Sequence, residues 1–459
     1  MKGHRFDPTL LRKYDVRGVV GDTLSTADAT AIGRTFGSIV AEEGGRFVCL
    51  GRDGRLSSPD MAKALAEGLI ASGVNVVDIG LAATPMLYFA SKMLDAPGAV
   101  MITGSHNPSD YNGFKMVLKN APFWAEDIQA LGRRSEAADW RSGEGERLEL
   151  DVLDAYISRI RRDFRSEREL KVVWDVGNAS IGPAVVELVR RLPGHHTVLH
   201  EKVDGTFPAH HPDPTVAENL KDLIDAVTGL GYDLGVAFDG DGDRIGAVDG
   251  NGRIVWGDQL LAVYARDLLA RRPGVQVIAD VKASQVLFDE IARLGGVPVM
   301  AAPGHSVIKS MMAESGAPLA GEMSGHVFFA DGYYGYDDAL YAAVRLLDIV
   351  ARSEETLAEM ISALPQMVNT PEIRIDVPEE RKFAIVDEVM AQARAANLSI
   401  NDVDGLRVSG PDGWWLLRAS NTQNALVVRC ESGDQAGLDR LKAIVVSYLA
   451  AAKVDAPAL

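Results

Sequence analysis

Apolar residues along this chain fall into short runs, each ending at a polar loop and most followed by a longer amphipathic stretch. The runs at 47–50, 172–174 and 275–279 are too short for helices and predict buried strands. The stretch 59–72 places Met61, Leu65, Leu69 and Ile70 near the helical period, which predicts a helix with one buried face. Strand, loop and helix in repetition predict α/β layers around mostly parallel sheets. After Pro365, Pro371 and Pro378 the pattern changes. A strand at 373–377, a helix at 381–396, strands near 406–408, 414–417 and 425–429, and a last helix at 434–451 predict a separate α+β unit with antiparallel pairing.

The strands also carry a faint internal repeat. Val48-Cys49-Leu50-Gly51-Arg52-Asp53, Val172-Val173-Trp174-Asp175-Val176-Gly177 and Val277-Ile278-Ala279-Asp280-Val281-Lys282 open alike. Each is followed by a second apolar strand running into an unusual loop: Thr103-Gly104-Ser105-His106-Asn107-Pro108, Asp239-Gly240-Asp241-Gly242-Asp243-Arg244, and Gly321-Glu322-Met323-Ser324-Gly325-His326. Loops at the carboxyl ends of parallel strands are where α/β domains place ligands. Three related domains sharing one cleft explain the pattern; chance similarity among α/β strands is the competing explanation. The expected division is 1–150, 151–253, 254–366 and 367–459.

Length agrees with four units, because 459 residues exceed what one core of ~100–150 residues holds. Acidic residues outnumber basic ones by 64 to 47, for a formal charge of −17. That balance argues against general nucleic-acid binding or an anionic membrane surface, but allows one basic pocket for a small phosphorylated molecule. Cys49 and Cys430 cannot build a disulfide framework. The opening residues Met1 to Asp7 lack the apolar core of a signal peptide, and no apolar stretch approaches a bilayer span. The expectation is a soluble, cytoplasmic protein.

In the aspartate loop, Asp239, Asp241 and Asp243 alternate, so an extended backbone can point all three the same way while the glycines permit a tight turn. Such hard oxygen ligands suit Mg²⁺ or Mn²⁺. A calcium loop starting at Asp239 would need glycine and glutamate where Arg244 and Gly250 stand, so that reading fails. In the serine loop, Thr103 and Asn107 occupy the flanks where a hydrolase elbow has glycines. A phosphoserine at Ser105, its charge met by the cation of the aspartate loop, fits better; an ordinary polar turn is the bland alternative. Glu322, Ser324 and His326 offer acceptor, hydroxyl and imidazole suited to adjacent sugar hydroxyls, or simply form a solvated loop. Arg418-Ala419-Ser420-Asn421-Thr422, with Arg429 on the next strand, combines groups that cradle phosphate or simply form a polar hairpin. Tyr14-Asp15-Val16-Arg17-Gly18 either presents a second arginine or is a salt-bridged turn. His210-His211-Pro212-Asp213-Pro214 holds ligand residue types inside a proline-bound loop, and a second metal there is not favoured. Both the phosphate-binding loop of nucleotide enzymes and the dinucleotide fingerprint are missing.

These loops, in this order, resemble the α-D-phosphohexomutase superfamily, and within it the bacterial phosphomannomutase/phosphoglucomutase group, across essentially the whole chain. The resemblance implies three related mixed-sheet α/β domains and a C-terminal α+β domain of TATA-binding-protein type, heart-shaped around a central cleft. It implies an enzyme that interconverts hexose 1-phosphate and 6-phosphate through phosphorylated Ser105 and a hexose 1,6-bisphosphate, with one Mg²⁺ held by Ser105, Asp239, Asp241 and Asp243. Thr103, His106 and Asn107 match the serine loop, and Lys115, Arg17 and His326 match groups tied to proton transfer. Tyr14, Arg244, Lys282, His305, Glu322 and Ser324 match substrate contacts, and Arg418, Ser420, Asn421 and Thr422 match the site for the non-reacting phosphate. The expected partners are hexose phosphates alone, for a monomer or weak dimer whose last domain swings to let a bisphosphate turn. A phosphoglucosamine mutase, a phosphatase with Asp239 as nucleophile and a non-catalytic sugar-phosphate binder are the competing readings.

Overall fold

The computed structural model describes residues 2–420 and 424–455. Its first three sheets share one topology. In the first, Phe47–Arg52 lies between Asn75–Leu81 and Gly98–Ile102, parallel to both, and Tyr111–Leu118 returns antiparallel beside Gly98–Ile102. In the second, Leu170–Asp175 lies between Gly194–Leu199 and Leu234–Phe238, and Ile245–Asp249 returns beside the latter. In the third, Gln276–Asp280 lies between Val297–Ala301 and Leu319–Gly321, and Val327–Phe329 returns. The three opening strands noted in the sequence are therefore the central strands of three alike sheets. The serine, aspartate and Glu322 loops occupy the same reversal, where a parallel strand hands over to its antiparallel neighbour.

Burial accounts for these elements. Gly98–Ile102, Leu234–Phe238 and Leu319–Gly321 are buried along their whole length, as their continuous apolar sequence requires. The helix Ser58–Ala71 starts with Pro59 in its first turn and buries Met61, Leu65 and Leu69 on one side. The first opening strand runs two residues beyond its apolar stretch, because Gly51 and Arg52 still pair with Met101 and Ile102.

The last unit is a wholly antiparallel sheet of Ile373–Asp376, Leu406–Gly410, Gly413–Ala419 and Ala425–Ser432, accompanied by helices Lys382–Ala395 and Gln435–Ala451. Its apolar core is its own, running from Ile375 to Ala452. The largest core of the molecule instead runs continuously from Cys49 through Trp174 and Tyr264 to Ile361, welding the first three units together. A small apolar cluster of Val281, Trp414 and Leu416 joins the last unit to the third. Around it, Arg407 stacks on Trp414 at 3.7 Å and donates to the carbonyls of Val281 and Ala283 at 2.7 and 2.8 Å. Among the described residues no helix is long and apolar enough to cross a membrane.

Candidate active site

The serine loop leaves the strand Gly98–Ile102 in a conformation the chain would not choose unaided. Ser105 sits at φ +50°, the left-handed region, with 2% of its surface exposed. Thr103 Oγ1 accepts its amide at 2.8 Å. From beneath, the fully buried Arg55 donates to four carbonyls of the loop and of the strand that follows: those of Ser105 at 2.7 Å, Asn107 at 2.6 Å, Tyr111 at 3.0 Å, and Pro108. Asp53 orients that guanidinium by accepting its Nε at 3.1 Å and also holds the Gly104 amide at 3.2 Å. The hydroxyl itself faces Asp239 Oδ2 at 3.1 Å and His106 Nδ1 at 3.2 Å.

The aspartate loop lies directly against it. A Cβ on Gly240 would stand 2.3 Å from the Ser105 carbonyl, so glycine there is a condition of close approach, while Gly242, at φ +75°, supplies the turn. Asp239 Oδ1 accepts the amides of Asp243 and Arg244, each at 3.1 Å, which fixes the loop around its own first carboxylate. Lys115, reached from the strand paired to Gly98–Ile102, places its ammonium 2.7 Å from Asp241 Oδ2 and 2.5 Å from Asp243 Oδ2. Thr84 donates to Asp241 as well.

Charge is concentrated here among buried side chains. Burial, with Asp243 and Asp241 beside it, pushes the Asp239 carboxyl well above its ordinary range. Burial also opposes ionisation of Asp243, but the Lys115 ammonium and His326 hold it well below that range. Lys115 stays charged despite burial because Asp241 and Asp243 flank it. His326, 3.3 Å from Asp243 Oδ1 and 3.0 Å from Glu322 Oε2, is likewise buried yet raised to about 9, chiefly by Asp243. Burial, aided by Arg244 and Arg17, keeps His106 neutral; burial, aided by Lys309 and Lys115, does the same for His305.

One cavity of about 420 Å³ collects the predicted residues. It is lined by Tyr14, Arg17, Ser105, His106, Lys115, Arg244, Lys282, His305, Glu322, Ser324, His326, Arg418 and Ser420, drawn from all four units. Arg17 donates to Asn107 Oδ1 at 2.6 Å and pairs with Asp15, so the salt-bridged turn and the arginine facing the cavity are both present. Gly304 N donates to Glu322 Oε1 at 2.6 Å. Lys282 bridges to Glu372 at 2.8 Å and Arg418 pairs with Asp404. Arg429 lines a neighbouring cavity of about 1010 Å³ instead. Asn421 and Thr422 lie outside the described residues.

Comparison with known proteins follows this geometry. Four models describing the phosphoglucomutase/phosphomannomutase domains match the chain: domain I at residues 8–142, II at 154–252, III at 256–368 and the C-terminal domain at 372–447. The phosphomannomutase/phosphoglucomutase of Pseudomonas aeruginosa is 45% identical over 449 residues, 98% of this chain and 97% of that one. The chain belongs to the phosphoglucomutase/phosphomannomutase family. Another relative, the phosphoglucomutase of Neisseria meningitidis serogroup A, is 43% identical over 94% of this chain and 95% of its own. A crystal structure of a phosphoglucomutase/phosphomannomutase family protein from Burkholderia thailandensis superposes with a TM-score of 0.93 at 42% identity, covering 98% of this chain and 99% of that one.

For this family member the donor set suits a hard divalent cation. Ligand oxygens of Asp239, Asp241 and Asp243 lie within 4.8 Å of one another, and Oδ1 of Asp241 is buried with no hydrogen-bond donor. Arg55 and Asp53 were not foreseen. In sequence they sit in a polar turn just past the first central strand, with nothing to set them apart from other such turns. Asp337, which accepts Lys309 at 3.0 Å and stands 3.6 Å from His305, was also missed.

Proposed function

We propose that this family member interconverts hexose 1-phosphate and hexose 6-phosphate, with mannose and glucose as its sugars, by passing a phosphoryl group through Ser105. The observation that carries this is the contact of the Ser105 hydroxyl, which lines a cavity of cationic and sugar-binding groups, with buried Asp239, whose carboxylate clusters with those of Asp241 and Asp243. A hydroxyl that only positioned a ligand would not need a carboxylate cluster whose burial is so costly.

In the forward half-reaction, phosphorylated Ser105 meets the free hydroxyl of a bound hexose monophosphate. The sugar oxygen forms a new bond to phosphorus as the bond from phosphorus to Ser105 Oγ breaks, and the hydroxyl proton passes to a nitrogen base of the cavity. The product is a hexose 1,6-bisphosphate. Turned end for end, it returns its other phosphoryl group to Ser105 Oγ, and the cavity returns a proton to the sugar oxygen left behind. A magnesium-class ion held by Ser105, Asp239, Asp241 and Asp243 would supply positive charge against the transferring phosphoryl group. Arg17 and Lys115 add charge beside the same position, and positioning supplies much of the rest. Glu322 would accept sugar hydroxyls at the face of a carboxylate held in place by Gly304 N on Oε1 and by His326 Nδ1, 3.0 Å from Oε2. Arg418 and Ser420 reach the cavity from the last unit to hold the phosphate that is not reacting.

Intact-mass measurement tests the reading. Incubation with glucose 1,6-bisphosphate and Mg²⁺ adds one phosphoryl group to the wild type, and hexose monophosphate discharges it. Ser105→Ala takes up none and loses about four orders of magnitude in turnover or more. Retention of most turnover by that variant would overturn the proposal in favour of a phosphatase. Coupled assays with mannose, glucose and glucosamine 1-phosphates separate the proposed sugars from a phosphoglucosamine mutase.

A further inference from the structure

The second unit holds a cluster of metal-ligating groups that the mutase site does not use. Asp175 ends the central strand Leu170–Asp175, and His200 follows the neighbouring strand Gly194–Leu199 in a left-handed conformation, φ +53°. His210 comes from the proline-bound loop that reads as an unfavoured metal candidate in the sequence. The fold brings one ligand atom of each within 4.8 Å of the others. The two imidazoles meet edge to face with centroids 5.4 Å apart, and the Asp175 side chain is fully buried.

The hydrogen bonds around the cluster decide what it can hold. His210 Nδ1 lies 3.0 Å from the carbonyl of His211, which can only accept, so Nδ1 carries the hydrogen. In neutral His210 the lone pair then sits on Nε2, facing both oxygens of Asp175 at 3.0 and 3.1 Å. A lone pair aimed at a carboxylate demands a cation between them, either a second proton or a metal. His200 repeats the arrangement: Nε2 lies 3.0 Å from the carboxylate of Asp222, which leaves Nδ1 as its lone-pair atom. Each imidazole thus has one nitrogen tied to an oxygen acceptor and one lone pair left to offer a metal, the outer-shell pattern of metal-ligating histidines. The separation of Nε2 from the carboxylate oxygens also approaches the ~3.3 Å expected for two ligands each about 2.0–2.1 Å from one tetrahedral zinc.

We infer that Asp175, His200 and His210 form a second cation site, one for a borderline transition metal of the zinc class, with water completing the coordination. Two imidazoles and one carboxylate select such a metal over magnesium, so the site is chemically distinct from the oxygen-only aspartate loop. Its role is structural. Pro212, two residues past His210, packs 3.4 Å from where a Gly240 Cβ would stand, so a cation that pins this segment also braces the aspartate loop from behind. The inference rests on residues separate from the mutase machinery and stands or falls independently of it.

The test uses full-length protein stripped by chelator and then saturated with Mg²⁺ so that the aspartate loop is filled. Titration with Co²⁺, followed by displacement with Zn²⁺, is expected to show one ion per chain with the intense visible bands of low-coordinate cobalt. His200→Ala and His210→Asn are expected to weaken binding by about 100-fold or more, and Asp222→Asn by about tenfold. Zn²⁺ should raise the melting temperature of the wild type and leave both histidine variants unmoved. Mutase turnover of His200→Ala in Mg²⁺ should match the wild type. Should a histidine variant fail to fold, the exposed Asp222→Asn change carries the comparison alone. Cobalt bound without those bands, or binding that survives the histidine changes but is lost in Asp241→Asn, would overturn the inference.

Discussion

Arg55 uses every hydrogen of its guanidinium: one on Asp53 and four on carbonyls in or just beyond the serine loop. It touches no reacting atom in this geometry, yet it holds the backbone that aims Ser105 Oγ. A lysine in its place keeps the charge but has three donors and no planar fork, so part of the loop loses its anchor. Because misplacement of a reacting group by about 1 Å costs ~10²-fold, Arg55→Lys is expected to lower kcat about 100-fold while KM changes little. Steady-state kinetics beside a thermal melt check this, and a kcat within twofold of wild type would show that the loop keeps its shape unaided. Its role was illegible beforehand, because Gly51-Arg52-Asp53-Gly54-Arg55 reads in sequence as any polar turn after a strand. Only the register, which lays Arg52 beside Ile102, brings this turn beneath Ser105.

At the scale of elements, strands and helices were legible because their apolar runs and periods survive in the fold, and ends moved by one to three residues, the largest shift being the strand expected at 425–429, which runs on to Ser432. The third central strand, expected at 275–279, is Gln276–Asp280, since pairing with Val297–Ala301 runs on through the polar Asp280. Contacts between elements were not legible. The helix Ala339–Arg352 begins at Asp338, whose carboxylate caps Tyr341 N at 2.9 Å and accepts the hydroxyls of Tyr156 at 2.9 Å and Tyr333 at 2.7 Å. Burial outweighs these bonds and raises the Asp338 carboxyl to about 6, against an ordinary value of 3.8. Between those values the folded state keeps a proton that the unfolded chain releases, so this group favours the fold less as pH rises from about 4 to about 6. The loss amounts to about 3 kcal/mol at most. Urea unfolding of wild type and Asp338→Asn should therefore show the wild type losing ground to the variant by roughly 2–3 kcal/mol between pH 4 and pH 7. Parallel profiles would mean that Asp338 ionises normally.

Across the whole molecule, three units share one continuous core, whereas the fourth has its own and leans on the third through a small apolar cluster and mostly polar contacts, among them Arg407 on the Val281 carbonyl and Glu431 accepting from Ser284 Oγ and Gln285 N. Such a joint suits movement, as the proposed turning of a bisphosphate within the cleft would require. Across the mouth of the cleft, Lys282 and Glu372 form a bridge at 2.8 Å between the third and fourth units. Glu372→Gln removes the charge on one side and should let the cleft widen. Small-angle scattering without substrate is expected to show a larger radius of gyration for the variant, with the difference disappearing once a hexose phosphate binds. Identical curves would place control of the opening elsewhere.

The left-handed backbone at Ser105 has a bearing on which amino acid this enzyme can ever keep there. For the proposed phosphoryl relay threonine would offer an equivalent hydroxyl oxygen, but a branched Cβ is poorly tolerated at φ +50°. Where the genetic code provides two alcohols for one chemistry, main-chain geometry has already chosen between them.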